Sequence, residues 1–121
     1  MTGNIMKLAN PLGDDRTTPL ILTAHRAMED GDAEAAGSAL AQFVKIQARR
    51  LEVATPGSIY DISPTYRGAH HWYASTTINY ANALRREISG GKAVTDTESE
   101  SLAIAEKRML VAVYTSELDA A

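Results

Sequence analysis

Residues 33–53 read AEAAGSALAQFVKIQARRLEV and carry the clearest periodic pattern in the chain. Plotted at about 100° per residue, the apolar side chains fill one side of a helix and the polar side chains fill the other. The apolar side consists of Ala36, Ala39, Leu40, Phe43, Val44, Ile46, Leu51 and Val53. The pattern predicts an amphipathic helix from about Ala33 to Val53 that packs its apolar face against the rest of the protein.

Two polar residues, Gln47 and Arg50, interrupt this apolar face. Arginine is almost never fully buried without a partner. We therefore expect Arg50 either to extend into solvent at the helix end or to pair with an acid such as Asp61 or Glu106.

A shorter helix is predicted before this one, from about Pro19 to Glu29. Thr18 is a suitable N-cap, Pro19 suits the first helical position, and Gly31 follows the end. Asp32 is then the expected cap of the next helix. A connection this short predicts an antiparallel pair of helices.

Two further helices are predicted in the second half of the chain. One runs from about Ala69 to Ile88 and ends at Ser89-Gly90-Gly91, a strong C-terminal stop. The other begins near Thr95 or Thr97, where two overlapping capping boxes occur, and ends at about Leu118. Its run Met109 to Tyr114 is apolar on every side, so we expect that run to be buried all round or against a second subunit.

The remaining segments are an N-terminal arm, residues 1–18, and a long loop, residues 55–67, with two prolines and a glycine. Long loops inside compact domains are often functional. The sequence thus predicts an all-α, four-helix bundle-like single domain over residues 19–121, with the arm in front of it and the loop between helices two and three.

The bulk composition excludes several classes of site. The 121 residues include no cysteine, which excludes disulfides and thiolate metal sites and suits a reducing compartment. No apolar run is long enough to cross a bilayer. The net charge of −3, with few clustered cations, argues against nucleic acid as the main partner. We expect a location in the cytoplasm or in a macromolecular assembly such as a virion.

The aromatic residues are unevenly distributed. Five of the seven, together with two of the three histidines, fall between residues 60 and 80. Tyrosine, tryptophan and arginine dominate protein interfaces, so this segment is a candidate docking surface. The alternative is that Tyr73 and Tyr80 belong to the core and Trp72 closes the helix pair. The predicted interface residues are Tyr60, Tyr66, Arg67, His71, Trp72, Met109 and Tyr114.

No motif indicates catalysis or a cofactor. No serine lies in a nucleophile elbow, and no glycine-rich loop could hold a phosphate. Adjacent His70 and His71 point about 100° apart on a helix, so they cannot share a metal. Asp61 with either histidine is a conceivable acid–base pair, but we expect a protein that is not an enzyme, with no cofactor, metal or small-molecule substrate.

Three functions remain open from the sequence. The first is a non-enzymatic assembly component or adaptor that binds a protein partner or itself. The second is a small acidic regulator that occludes a partner's site with Glu98, Glu100 and Glu106. The third is a helical bundle that binds a small ligand or a metal.

Overall fold

The structure is a computed structural model that describes residues 3–9, 16–53 and 64–120. These residues form one short 3-10 helix and four α-helices, and they contain no strand. The all-α, four-helix bundle-like fold is therefore confirmed. The elements are η1 (Ile5–Leu8), α1 (Thr18–Glu29), α2 (Ala33–Val53), α3 (Pro64–Ile88) and α4 (Asp96–Ala120).

The helices pack in the order in which they occur along the chain. Helix α1 lies along α2, α2 along α3, and α3 along α4, while η1 lies against α1 and α3. Among the described residues, α3 is the only helix along which α4 packs. Helix α4 is therefore an edge helix with one broad side turned away from the protein.

Glycines end α1 and α3 in the same way. Gly31 and Gly90 have positive φ angles of 75° and 90°, which glycine adopts without strain. After each glycine the chain turns back on the helix: the N–H of Asp32 donates to the carbonyl of Ala27 at 2.7 Å, and that of Gly91 to the carbonyl of Arg86 at 2.9 Å. These Schellman turns keep the following connections short.

Both predicted caps at the starts of α2 and α4 form as expected. The Asp32 carboxylate accepts from the N–H of Ala35 at 3.0 Å. At α4, the Thr95 N–H donates to Glu98 at 2.9 Å and the Glu98 N–H donates to the Thr95 hydroxyl at 3.2 Å, completing a capping box. The predicted cap of α1 was wrong, since Thr17 precedes the helix, makes no side-chain cap and leaves Thr18 as the first helical residue.

Helix α3 begins earlier than the sequence predicted. Residues 64–67, which we assigned to the loop, are helical. Pro64 occupies the first helical position, where a proline is favoured because no backbone N–H is needed there. The rest of the predicted loop, residues 55–63, lies outside the described residues.

The core includes part of the predicted N-terminal arm. Ile5 and Leu8 of η1 are buried in one cluster with side chains from all four helices, among them Phe43 and Leu84. The Tyr80 hydroxyl accepts from the N–H of Asn4 at 2.9 Å and donates to its carbonyl at 3.0 Å. Residues 3–9 are thus anchored to the helices by both apolar and polar contacts.

The two polar residues on the apolar face of α2 join a buried network. The Arg50 guanidinium donates to the side-chain Oε1 of Gln47 at 2.7 Å, and the side-chain Nε2 of Gln47 donates to the Thr77 hydroxyl at 3.0 Å. Arg50 is only 7% exposed, so the prediction that it extends into solvent was wrong. Its pairing with Asp61 stays a prediction, because residue 61 lies outside the described residues.

No helix in the described ranges has both the length and the apolar content that crossing a membrane requires.

Candidate interaction surface

The outer side of α4 exposes large apolar side chains. Val111 is 60% exposed and Tyr114 is 63% exposed, and Ile104 and Leu110 are close to half exposed. Trp72 of α3 is 39% exposed and lies near Ile104 and Val111. We call this set, together with Lys107 and Arg108, the α4 surface.

This surface corrects one of our expectations for α4. The run Met109 to Tyr114 is not buried all round within the chain: Met109 and Ala112 face inward, whereas Leu110, Val111 and Tyr114 are exposed. The reason is the order of packing, because α4 contacts α3 on one side and the described part of the chain places no other helix along it. Burial against a second subunit, our other expectation, stays open.

A groove opens between α3 and α4 within this surface. It has a volume of about 530 Å³ and an apolar floor. The floor contains small residues, Gly68, Ala69 and Ala112, which leave room where larger side chains would fill the gap between the helices. Its remaining lining residues are Trp72, Ile104, Lys107, Arg108 and Val111.

The rim of the groove is positively charged. The Arg108 guanidinium carbon lies 4.0 Å from the centre of the Trp72 ring, a cation–π contact. Such contacts are worth about 0.5–1 kcal/mol at exposed sites and favour this arrangement of the two side chains. Lys107 adds a second cation, and no carboxylate occurs among the described residues that line the groove. The groove is therefore suited to an apolar group that is accompanied by negative charge.

The predicted interface residues divide into three groups. Trp72 and Tyr114 are exposed on the α4 surface, and His71 is exposed next to Trp72 in the sequence of α3. Met109 is only 2% exposed and packs with Tyr73 and Ala105, so it belongs to the core and offers no surface. Tyr66 and Arg67 are part of α3, but their side chains, and Tyr60 altogether, lie outside what the structure describes.

The predicted interface residues do not include Ile104, Lys107, Arg108, Leu110 and Val111, although the last two belong to the apolar run for which burial was expected. A signal for two of them was present, because Ile104 and Val111 are seven residues apart and so share a helix face. That face is opposite the one carrying Leu102, Ala105 and Met109, which are buried. Helix α4 therefore has two apolar faces, and its contact with α3 can bury only one of them.

The histidine segment offers no second site among the described residues. His70 is buried, and its pKa is lowered by that burial and then by the nearby charges of Arg50 and His71. His25 lies on α1, where it pairs with Glu29 at 2.9 Å. The described ranges contain no cluster of three or more histidine, aspartate or glutamate side chains that could hold a metal ion. Asp61, the conceivable acid–base partner of either histidine, lies outside them.

The three glutamates of the regulator hypothesis occupy different environments. Glu98 accepts from Arg86 at 2.9 Å and belongs to the capping box. Glu106 is partly buried, and this burial raises its pKa, while Lys7 acts in the opposite direction. Only Glu100 is exposed. The three carboxylates therefore do not form one acidic face.

Comparison with protein-family models, with curated proteins and with solved structures finds no match to this chain. Any functional conclusion therefore depends on the geometry of the α4 surface.

Proposed function

We propose that this chain is a non-enzymatic interaction protein that binds another protein through the α4 surface. One observation carries the proposal: an edge helix exposes Ile104, Leu110, Val111 and Tyr114, and two of these side chains, Ile104 and Val111, line the groove beside Trp72. Contiguous exposed apolar surface rimmed by polar groups is a mark of interaction sites in proteins.

The residue types of this surface suit an interface. Tryptophan, tyrosine and arginine are the side chains most enriched among interface hot spots. The stacking of Arg108 on Trp72 favours one arrangement of two such side chains before binding, which lowers the entropy lost on binding. The groove can accept an apolar side chain of the partner as an anchor.

The charges of the surface define the partner's chemistry. Lys107 and Arg108 lie at the groove without a carboxylate among its described lining residues. A partner with an apolar ridge and a carboxylate next to it would meet both features. Such pairing raises the association rate and excludes partners with the wrong charge.

These features favour the role of an assembly component or adaptor, in the cytoplasm or in a macromolecular assembly such as a virion. The absence of cysteine from the sequence suits a reducing compartment. The acidic regulator receives less support, since its three glutamates do not share a face.

A small apolar ligand in the groove is the second candidate. The groove volume of about 530 Å³ falls within the range of ligand pockets, roughly 300–1,000 Å³. A small ligand would nevertheless leave Leu110 and Tyr114 exposed, because neither lines the groove. A protein partner would cover the groove and the extension beyond it.

Photo-cross-linking tests the proposal directly. A photoreactive phenylalanine analogue replaces Val111 in one variant and Leu22 in a control variant, in cells that make the protein naturally. Leu22 is also an exposed apolar residue, 37% exposed, but it lies on α1. We expect a protein adduct from position 111 and none from position 22. Equal adducts from both positions, or none from position 111, would contradict the proposal.

A further inference from the structure

We propose that the partner of the α4 surface is a second copy of this chain, with the two α4 helices antiparallel about a two-fold axis at Ile104. This inference rests on the proposed function and names the occupant of the same surface. It follows from the distribution of charge along α4.

The exposed charges of α4 are separated by sign. Among its described side chains, the exposed carboxylates are Asp96 and Glu100, and the exposed cations are Lys107 and Arg108. Glu106 is partly buried and Glu98 is engaged by Arg86, so neither carboxylate is fully exposed. The exposed side of α4 is therefore negative in its first turns and positive near its middle.

Glu100, Ile104 and Arg108 follow each other at four-residue intervals. Residues at this spacing lie next to one another on one helix face, about 6 Å apart along the axis. The backbone positions of Glu100 and Arg108 thus lie at equal distances along the helix axis on either side of the exposed Ile104.

This symmetry makes the face complementary to itself. When a second α4 lies antiparallel with its Ile104 on the first Ile104, each Glu100 is opposite an Arg108 of the other copy. The contact then has an apolar centre and two opposite-charge pairs, and the antiparallel helix dipoles also attract. A parallel arrangement in register would bring like charges together. The antiparallel register is the one that the charges select.

The groove becomes part of the same contact. In this register the acidic first turns of one α4 lie over Lys107, Arg108 and Trp72 of the other copy. The carboxylate that the groove's charge requires is thus supplied by the chain itself. A two-fold contact uses the same surface on both copies, so the assembly stops at a dimer.

Sedimentation velocity of the purified full chain tests the inference. From about 1 µM to about 1 mM, the range in which modest interfaces dissociate, the mass should rise from 13.0 kDa to twice that value. Glu100→Arg and Arg108→Glu should each raise the dissociation constant by about tenfold or more, since each puts like charges in contact. The double variant should recover most of the wild-type affinity.

Two controls separate charge pairing from general effects. Leu22→Arg adds a cation to an exposed apolar position on α1 and should leave the dissociation constant unchanged. Circular dichroism checks that each variant is folded. Arg108→Glu also removes the stacking on Trp72, so recovery in the double variant is the decisive result.

Three results would overturn this inference: a wild-type monomer at the highest concentration, assembly beyond a dimer, or a double variant no tighter than the weaker single one. If the chain is monomeric but position 111 still cross-links to a different protein, the proposed function survives and the second copy is excluded. If neither association nor cross-linking occurs, both proposals fail.

Discussion

The carboxylate of Glu98 on α4 binds Arg86 on α3 and so connects the two helices. It accepts from the guanidinium of Arg86 at 2.9 and 3.3 Å, and from the N–H and hydroxyl of Thr95 at 2.9 and 2.8 Å. The hydrogen bonds from Arg86, and then those from Thr95, lower the pKa of Glu98 to about 2. Protonation of this group therefore favours the unfolded chain.

The pH dependence of stability should reveal this group. Because the pKa of Glu98 is about 2 in the folded protein and 4.5 ordinarily, its contribution is complete above 4.5 and is lost as the pH falls towards 2. We expect Glu98→Gln to lower the stability at neutral pH and to flatten its decline over that interval. Urea unfolding between neutral pH and pH 2 measures both effects.

Glu106→Gln is the matched control because burial raises the pKa of Glu106. A raised carboxyl pKa stabilises the folded protein as the pH falls through that pKa to 4.5, so removing this group should steepen the decline above pH 4.5 and leave the decline between 4.5 and 2 unchanged. If the free energy of unfolding of Glu98→Gln falls between pH 4.5 and 2 as steeply as that of the wild type, Glu98 does not have the lowered pKa.

At the scale of elements, the short helix η1 completes the core. Ile5 and Leu8 are each 1% exposed in the cluster that includes Leu84 and Leu102. Gly3 lies so close to Leu84 and Val94 that a Cβ atom there would be 2.5 Å from a Leu84 methyl carbon. The N-terminal segment is thus closely packed against Leu84 and Val94.

Truncation of the buried η1 side chains should therefore lower the stability of the fold. We expect Leu8→Ala to lower the free energy of unfolding by about 2–5 kcal/mol, the range for a buried leucine. Leu22→Ala, at an exposed position of α1, should cost well under half as much. Urea denaturation measures both changes. Equal losses would show that η1 does not belong to the core.

The sequence predicts those elements whose signals are local. The limits of α2, the Asp32 cap and the Thr95–Glu98 capping box each depend on residues a few positions apart. The start of α3 was misplaced because proline both ends a loop and begins a helix, and composition does not distinguish the two. The contact of Arg86 with Glu98 depends on how α3 and α4 pack, which no local pattern encodes.

The candidate site was only partly predictable for the same reason. Trp72 and Tyr114 could be named from residue type, as large aromatic side chains suited to interfaces. The exposure of Val111 and the burial of Met109 depend on which face of α4 meets α3. A run that is apolar on every side carries no periodic signal to identify that face.

At the scale of the whole molecule, the sequential packing of the helices determines where the surface lies. Within the described ranges, helices α2 and α3 each have two α-helical neighbours, whereas α4 packs along α3 alone. The apolar side chains that α4 carries on its far side therefore reach solvent. A partner on the face that carries Ile104 would cover part of this exposed apolar surface.

Trp72 gives the most direct measurement of whether this surface is covered. It is the only tryptophan in the chain, and it lies 39% exposed in the groove beneath Arg108. Its emission and its quenching by acrylamide therefore report on this surface alone. The comparison is between the wild-type chain and Val111→Glu, over the concentration range used for sedimentation.

For the wild-type chain, we predict that Trp72 emission shifts to shorter wavelength and that acrylamide quenching falls as the concentration rises, in parallel with the increase in mass. The Val111→Glu variant should keep the dilute spectrum throughout. Two results would contradict the proposed contact. In the first, acrylamide quenching of wild-type Trp72 stays constant while the mass doubles. In the second, neither its emission nor its quenching changes at any concentration.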